Sequence, residues 1–117
     1  MSPFELGKMG EQFAFDYLKK KKYKIIKKGF RLFRGDIDLI AYDKDVLVFV
    51  EVKTRRGVRF GLPEESVDSS KKKQIRKIAR GFVSLNRLDE VECRFDILAL
   101  NFHPAQGFKA THFKDAF

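Results

Sequence analysis

Asp36, Asp38, Glu51 and Lys53 are the residues of this chain whose types and spacing could do chemistry together. Asp and Glu oxygens converging on one point are how a protein holds Mg²⁺, with one or two carboxylates and several waters kept on the ion. An ammonium beside such an ion could polarise or deprotonate an attacking water, or offset charge building on a phosphate oxygen. All four residues lie within Gly35 to Thr54, GDIDLIAYDKDVLVFVEVKT, which reads as two strands. Ile37 to Tyr42 is apolar and β-prone, Asp43-Lys44-Asp45 breaks the run, and Val46 to Val52 is almost wholly apolar. Side chains alternate across a strand, so Leu47, Phe49, Glu51 and Lys53 should share one face and Val46, Val48, Val50 and Val52 the other. Charges at the end of a strand buried on both faces need a partner. Asp38, expected on the same face as Asp36 and Ile40, is the residue that hairpin pairing can bring to Glu51.

The elements that must position these residues follow from periodicity and capping. Leu6, Gly10, Phe13, Ala14, Tyr17 and Leu18 recur at helical spacing, Pro3 stands where a helix can start, and Lys19 to Lys22 suit the negative end of its dipole. Glu11 projects about 100° from Gly10, on the border of the apolar stripe. Gly7 and Gly10 would let this helix approach a strand closely enough for Glu11 to reach the carboxylates; an exposed Glu beside a core helix is the alternative. Tyr23 to Phe33 reads as a first strand, interrupted by Gly29, where a bulge is expected. Its Lys24, Lys27, Lys28 and Arg31, with Arg34 after it, suit an edge strand and a phosphate-contacting surface equally.

Beyond the hairpin, RRGVRFGLP (residues 55–63) leaves directly from the Glu51 and Lys53 end. It sets Arg55, Arg56 and Arg59 where guanidinium forks could grip phosphates; a solvated loop without a task is the alternative. Asp68, Ser69 or Ser70 then caps a helix with Ile75, Ile78, Ala79, Phe82 and Val83 as its buried face. Lys71, Lys72, Lys73, Arg76, Lys77 and Arg80 form the opposite side, either a solvated face or a surface for a nucleic-acid backbone. Gln74 begins this helix near the arginine loop, where it could touch the site; a surface position is the favoured expectation. Val91 to Leu100 is a fourth strand, in which Asp96 fits a structural hydrogen-bonding role, and Gly107 to Phe113 a short last one. The order predicts one α/β domain over residues 1–117, a mixed sheet flanked by helices, its first three strands a meander.

Composition narrows the partners. The 25 Lys and Arg against 16 Asp and Glu leave a charge of +9, which in a chain of 117 residues argues for a polyanion, nucleic acid before an anionic membrane. No apolar run approaches the ~20 residues of a membrane span, and MSPFELGKMGEQ lacks the apolar core of a signal peptide, so a cytoplasmic protein is expected. The lone Cys93 lies in an apolar run and is expected to be a reduced core residue. His103 and His112 share no zinc-ligand spacing.

Glu11, Gly35-Asp36-Ile37-Asp38-Leu39-Ile40-Ala41, Phe49-Val50-Glu51-Val52-Lys53-Thr54-Arg55, Phe60-Gly61, Arg94-Phe95-Asp96 and the closing His112 with Asp115-Ala116-Phe117 together resemble the YraN-like family of small bacterial proteins, nearly end to end. That family is similar to archaeal Holliday-junction resolvases of the PD-(D/E)xK, restriction-endonuclease-like superfamily. The resemblance implies an αβββαβ nuclease core, with Asp38 as the motif aspartate, Glu51 and Lys53 as the E-x-K pair and Glu11 as the helical carboxylate. Ile37 stands where the superfamily's name has proline, which leaves Asp36 as a rival ligand; the following Leu39-Ile40-Ala41 resembles the resolvase pattern and favours Asp38.

Three classes of function compete. The first is an endonuclease dependent on Mg²⁺ or Mn²⁺: Asp38 and Glu51 hold the ion with the Val52 carbonyl, Lys53 aids the water, and Glu11 serves a second ion or an outer water. Its substrate would be DNA, branched or junction-like, and a symmetric cut of two strands would call for a homodimer. The second is a catalytically silent nucleic-acid-binding module on the same fold. The third is a buried ion pair without further role, which stability explains poorly, since apolar replacements of such pairs are often neutral or better.

Overall fold

The computed structural model describes residues 1–57 and 67–117. Helix α1 spans Pro3–Lys20, and strands β1, β2 and β3 follow at Lys24–Leu32, Gly35–Asp43 and Val46–Arg56. Helix α2 (Ser69–Leu85) leads to β4 (Cys93–His103) and β5 (Gly107–Phe113). The five strands lie side by side in chain order. All neighbours are antiparallel except β3 and β4, which the α2 crossover makes parallel. This is the expected α/β sandwich with a mixed sheet, its αβββαβ core extended by β5.

Each helix begins where its cap allows. Ser2 and Glu5 form a capping box at α1, each side chain bonded to the other's backbone N–H at 3.1 and 2.9 Å. Of the three cap candidates for α2 the chain uses Asp68, whose Oδ1 accepts from the Lys71 N–H at 2.8 Å. The helices cover opposite faces. Ala14 and Leu18 of α1 bury against Leu39, Ala41, Val48, Val50, Leu98 and Leu100, while Ile75, Ile78, Ala79 and Phe82 of α2 bury against Ile37, Ile40, Leu47, Phe49 and Ile97. Both faces of β3 are therefore covered, as its apolar run requires.

Two expectations are corrected. The register shift in β1 falls between Ile25 and Lys27, not at Gly29. Cys93 is exposed: it is the first residue of β4, at the rim of the sheet, before the apolar run goes under α2.

Asp96, in register with Val50 on the neighbouring strand, is fully buried and anchors a polar knot. Its carboxylate accepts from Arg94 Nε at 2.8 Å, His112 Nε2 at 2.8 Å and the Asp115 N–H at 3.0 Å. Arg94 also reaches Asp43 and the Tyr23 hydroxyl, so β2, β4, β5 and the residue just before β1 meet there. Burial opposes ionisation of Asp96, but the bonds from His112, Arg94 and Asp115 outweigh it and hold its carboxyl at about 2. Tyr23 responds the other way, pushed up to about 12 by burial and the Asp96 charge.

Candidate active site

The site exists because two strands change faces together. Lys28 sits over Phe15 of α1, yet Phe30, two residues on, packs against Phe82 of α2. On the facing strand Leu39 belongs to the α1 side and Ile37 to the α2 side. Residues two apart share a face in a regular strand, so here each strand crosses over, β1 at Gly29 and β2 at Asp38. Those two residues stand on one rung, between the pairs Lys28–Leu39 and Phe30–Ile37, and they do not pair with each other. Gly29 takes φ +61°, a left-handed conformation open to glycine at little cost. The expectation that Asp38 shares a face with Asp36 and Ile40 is thereby corrected: alternation fails at Asp38 itself.

Asp38 is also free of its other neighbour. Pairing of β2 with β3 ends at Leu39–Val50, and beyond it the Val52 N–H donates to Asp38 Oδ2 at 2.7 Å. In a strand the N–H and C=O of one residue point to the same side. The Val52 carbonyl therefore also faces the gap between β2 and β3, where an ion held by Asp38 would be.

Glu51 lies on the α2 side of β3, only 6% exposed, with Lys53 Nζ 3.7 Å and Lys71 Nζ 3.9 Å from its Oε2. Lys71 also reaches Asp36 at 4.0 Å. Burial first, and then the nearby Asp38 charge, push the Glu51 carboxyl up to about 8 against the pull of the two lysines. Asp38 is raised as well, by burial first, against the Val52 hydrogen bond. Two acids that resist ionising side by side, with hard oxygens and a backbone carbonyl beside them, are a donor set that a divalent cation would satisfy.

Glu11 comes to this gap but does not join the pair. Gly10 presses α1 onto β3 so closely that a Cβ there would clash with Thr54 Oγ1. That approach sets Glu11, exposed, in the wall of a cleft of about 240 Å³ with Lys8, Lys28, Gly29, Asp36, Asp38 and Val52. Gly7, by contrast, meets nothing within 4 Å, so it does not enable the approach. Among the described residues no three His, Cys, Asp or Glu side chains form a ready-made metal-binding group. Of the four residues expected to converge, the structure joins Asp38, Glu51 and Lys53 and leaves Glu11 at the rim.

The cations divide by location. Arg55 is exposed and lines an adjoining cleft with Glu11, Asp38 and Lys53. Arg56 donates to the Met1 carbonyl at 2.9 Å. Arg34 is exposed in the β1–β2 turn, and Lys73 is exposed on α2. Lys72 and Arg76 stand over the Phe117 ring, 5.7 and 5.4 Å from its centroid. Arg59, with Phe60 and Gly61, lies outside the described residues. Sequence reasoning placed Lys71 on the basic face of α2 and so missed its place in the site. The signal was present, since Lys71 is the third residue of a helix that returns toward the end of β3. Gln74 packs against Gly35, beside Asp36.

The fold and this arrangement define a small α/β protein with an acid pair and two lysines at the splayed ends of β2 and β3. Comparison with known proteins adds the family. Residues 10–100 match the model described as "Uncharacterised protein family UPF0102". A UPF0102 protein of Caldanaerobacter subterraneus subsp. tengcongensis is 44% identical over 114 residues, 96% of this chain and 93% of its own. Those of Syntrophus aciditrophicus and Thermodesulfovibrio yellowstonii are each 42% identical, over 95% and 100% of this chain and 87% and 99% of theirs. The chain belongs to the UPF0102, or YraN-like, family.

Proposed function

We propose that this protein is an endonuclease that hydrolyses DNA phosphodiesters with Mg²⁺ or Mn²⁺, acting on branched or junction-like substrates. The observation that carries the reading is the placing of Asp38 beside a buried Glu51, where β1–β2 pairing skips a rung and β2–β3 pairing has ended, with Lys53 3.7 Å from Glu51. Asp38, Glu51 and the Val52 carbonyl would hold the ion. When bound, the ion supplies Lewis acidity toward a phosphate oxygen and an acidified water. Lys53 sits where its ammonium can offset charge on the phosphate or hand a proton at Nζ, and Lys71 balances Glu51 and Asp36 from the other side. Arg55 at the cleft and Arg34, Lys72, Lys73 and Arg76 outside it would contact the backbone. Among the described residues no helix is long and apolar enough to cross a membrane, and the reading carries a cytoplasmic location with it. The resemblance to resolvases supports it and would call for a homodimer on a four-way junction.

The decisive experiment incubates labelled linear and branched nucleic acids with Mg²⁺, Mn²⁺ or chelator, comparing wild type with Glu51→Ala and Lys53→Ala. Cutting that needs the metal and is lost in both variants, while fold and binding persist, is the expected result. Equal cutting by both variants would point to a contaminant and end the proposal.

A second reading is favoured by the absence, among the described residues, of a third acidic side chain in the pair. It makes the protein a silent nucleic-acid-binding module, with salt-sensitive affinity that falls when Arg55 and Arg56 are neutralised and no cleavage under any metal.

A further inference from the structure

We infer that the tip of the β1–β2 hairpin, Phe33 and Arg34, is a stacking wedge for an unpaired base, which directs the site to nucleic acid interrupted by a gap or branch rather than to continuous duplex. The inference rests on the nucleic-acid reading above and adds a residue and a substrate feature to it.

The first observation is the backbone. Leu32 and Gly35 pair, leaving a turn of two residues, Phe33 at φ 52° and Arg34 at φ 60°. Such a turn needs positive φ at both positions and is ordinarily made by Asn-Gly or Gly-Gly. Here a bulky aromatic and an arginine hold it, each in a region that L side chains avoid. Strain of this kind collects where side chains have a task.

The second observation is the ring's setting. Phe33 is 51% exposed, one of few large apolar side chains so placed among the described residues. It has a built seat: a Cβ on Gly81 of α2 would come 2.9 Å from Phe33 Cε2, so glycine there makes room for the ring. Lys77 Nζ stands 4.9 Å from the ring centroid. A lysine–ring contact in solvent is weaker than base–aromatic stacking, so an incoming base displaces Lys77 and frees its ammonium for the adjoining phosphate.

The third is position and charge. Arg31, Arg34 and Lys77 are all exposed around the ring, a cationic rim that suits a polyanion and no apolar partner. Gly35, Asp36 and Ile37 of β2 separate the turn from Asp38, about 10 Å at the rise of a strand, or roughly three base steps along a nucleic-acid strand. One strand could lie across the cleft while its unpaired base meets the tip.

The test uses the full chain in chelator, so that nothing is cut, and two labelled probes: a continuous duplex, and the same duplex with a short single-stranded gap carrying a fluorescent adenine analogue. Wild type should prefer the gapped probe and quench the analogue. Phe33→Ala should lose about tenfold in affinity for the gapped probe and the quenching with it, keeping its affinity for duplex; Phe33→Trp should retain both. Unchanged duplex affinity also shows that the variant is folded. Phe33→Ala binding and quenching like wild type, or losing equally on both probes, overturns the wedge and leaves the nuclease reading standing. Failure of the wild type to bind either probe overturns both.

Discussion

Glu51 is held between burial, which favours its neutral form, and two lysines, which favour its charged one. Its carboxyl titrates near 4.5 in an unfolded chain and at about 8 here, so across that window the folded state binds the extra proton. Stability is then highest below the lower value and falls as pH rises through the upper one. In chelator the melting temperature should drop by several degrees across this range, Glu51→Gln should flatten the curve, and added Mg²⁺ should recover what the wild type loses at the alkaline end. A wild-type melting temperature independent of pH would refute this. Asp96 has the opposite sign: lowered from 3.8 to about 2, it contributes stability that is present above the first value and lost as pH falls through the second. Asp96→Ala, which strands Arg94 and His112, should cost about 3 kcal/mol in denaturant unfolding. The residue types and spacing singled out Glu51 and Lys53; Asp38 needed the expected hairpin pairing to bring it near, and the resolvase-like Leu39-Ile40-Ala41 to favour it over Asp36. They could not separate Lys71 from Lys72 and Lys73, because which lysine of a basic run turns inward depends on how the helix docks.

Gly29 shows what an element hides from a periodicity argument. Its interruption of β1 was legible, but strict alternation was assumed for β2, and nothing in the residues of β2 says that the strand crosses over at Asp38. That crossing answers a glycine on the neighbouring strand, and pairing partners are not written in a single segment. A Cβ at Gly29 meets no atom within 4 Å, so Gly29→Ala should cost about 1–2 kcal/mol through its φ alone, and cleavage should fall further as Asp38 shifts. Loss of stability without loss of activity would separate the two. The β1–β2 turn predicts the reverse. Replacing Phe33-Arg34 by Asn-Gly should stabilise the protein by about 1 kcal/mol or more, seen as a higher melting temperature. Helix α1 belongs here too: Gly10 was rightly expected to allow a close approach, and Gly7 does not share that duty because a Cβ there would meet only open space.

At the scale of the whole molecule, helix–sheet–helix layering and the order of elements were readable, since hydrophobic period and cap residues report them directly. The extra strand β5 also announced itself. Net charge is the remaining whole-molecule property: on the proposed nucleic-acid reading, +9 predicts an affinity whose logarithm falls linearly with the logarithm of salt, a slope that titrations on duplex would measure. The shared crossing of β1 and β2 carries one more consequence. Because Lys28–Leu39 and Phe30–Ile37 keep one register across it, the swap is invisible to the pairing and concerns only which side each residue looks toward. Anyone shifting the acidic group one position along β2 by mutation would also have to move the glycine across from it. Altering either strand alone would turn the outer stretch of the hairpin inside out, sending Phe30 and Ile37 into solvent.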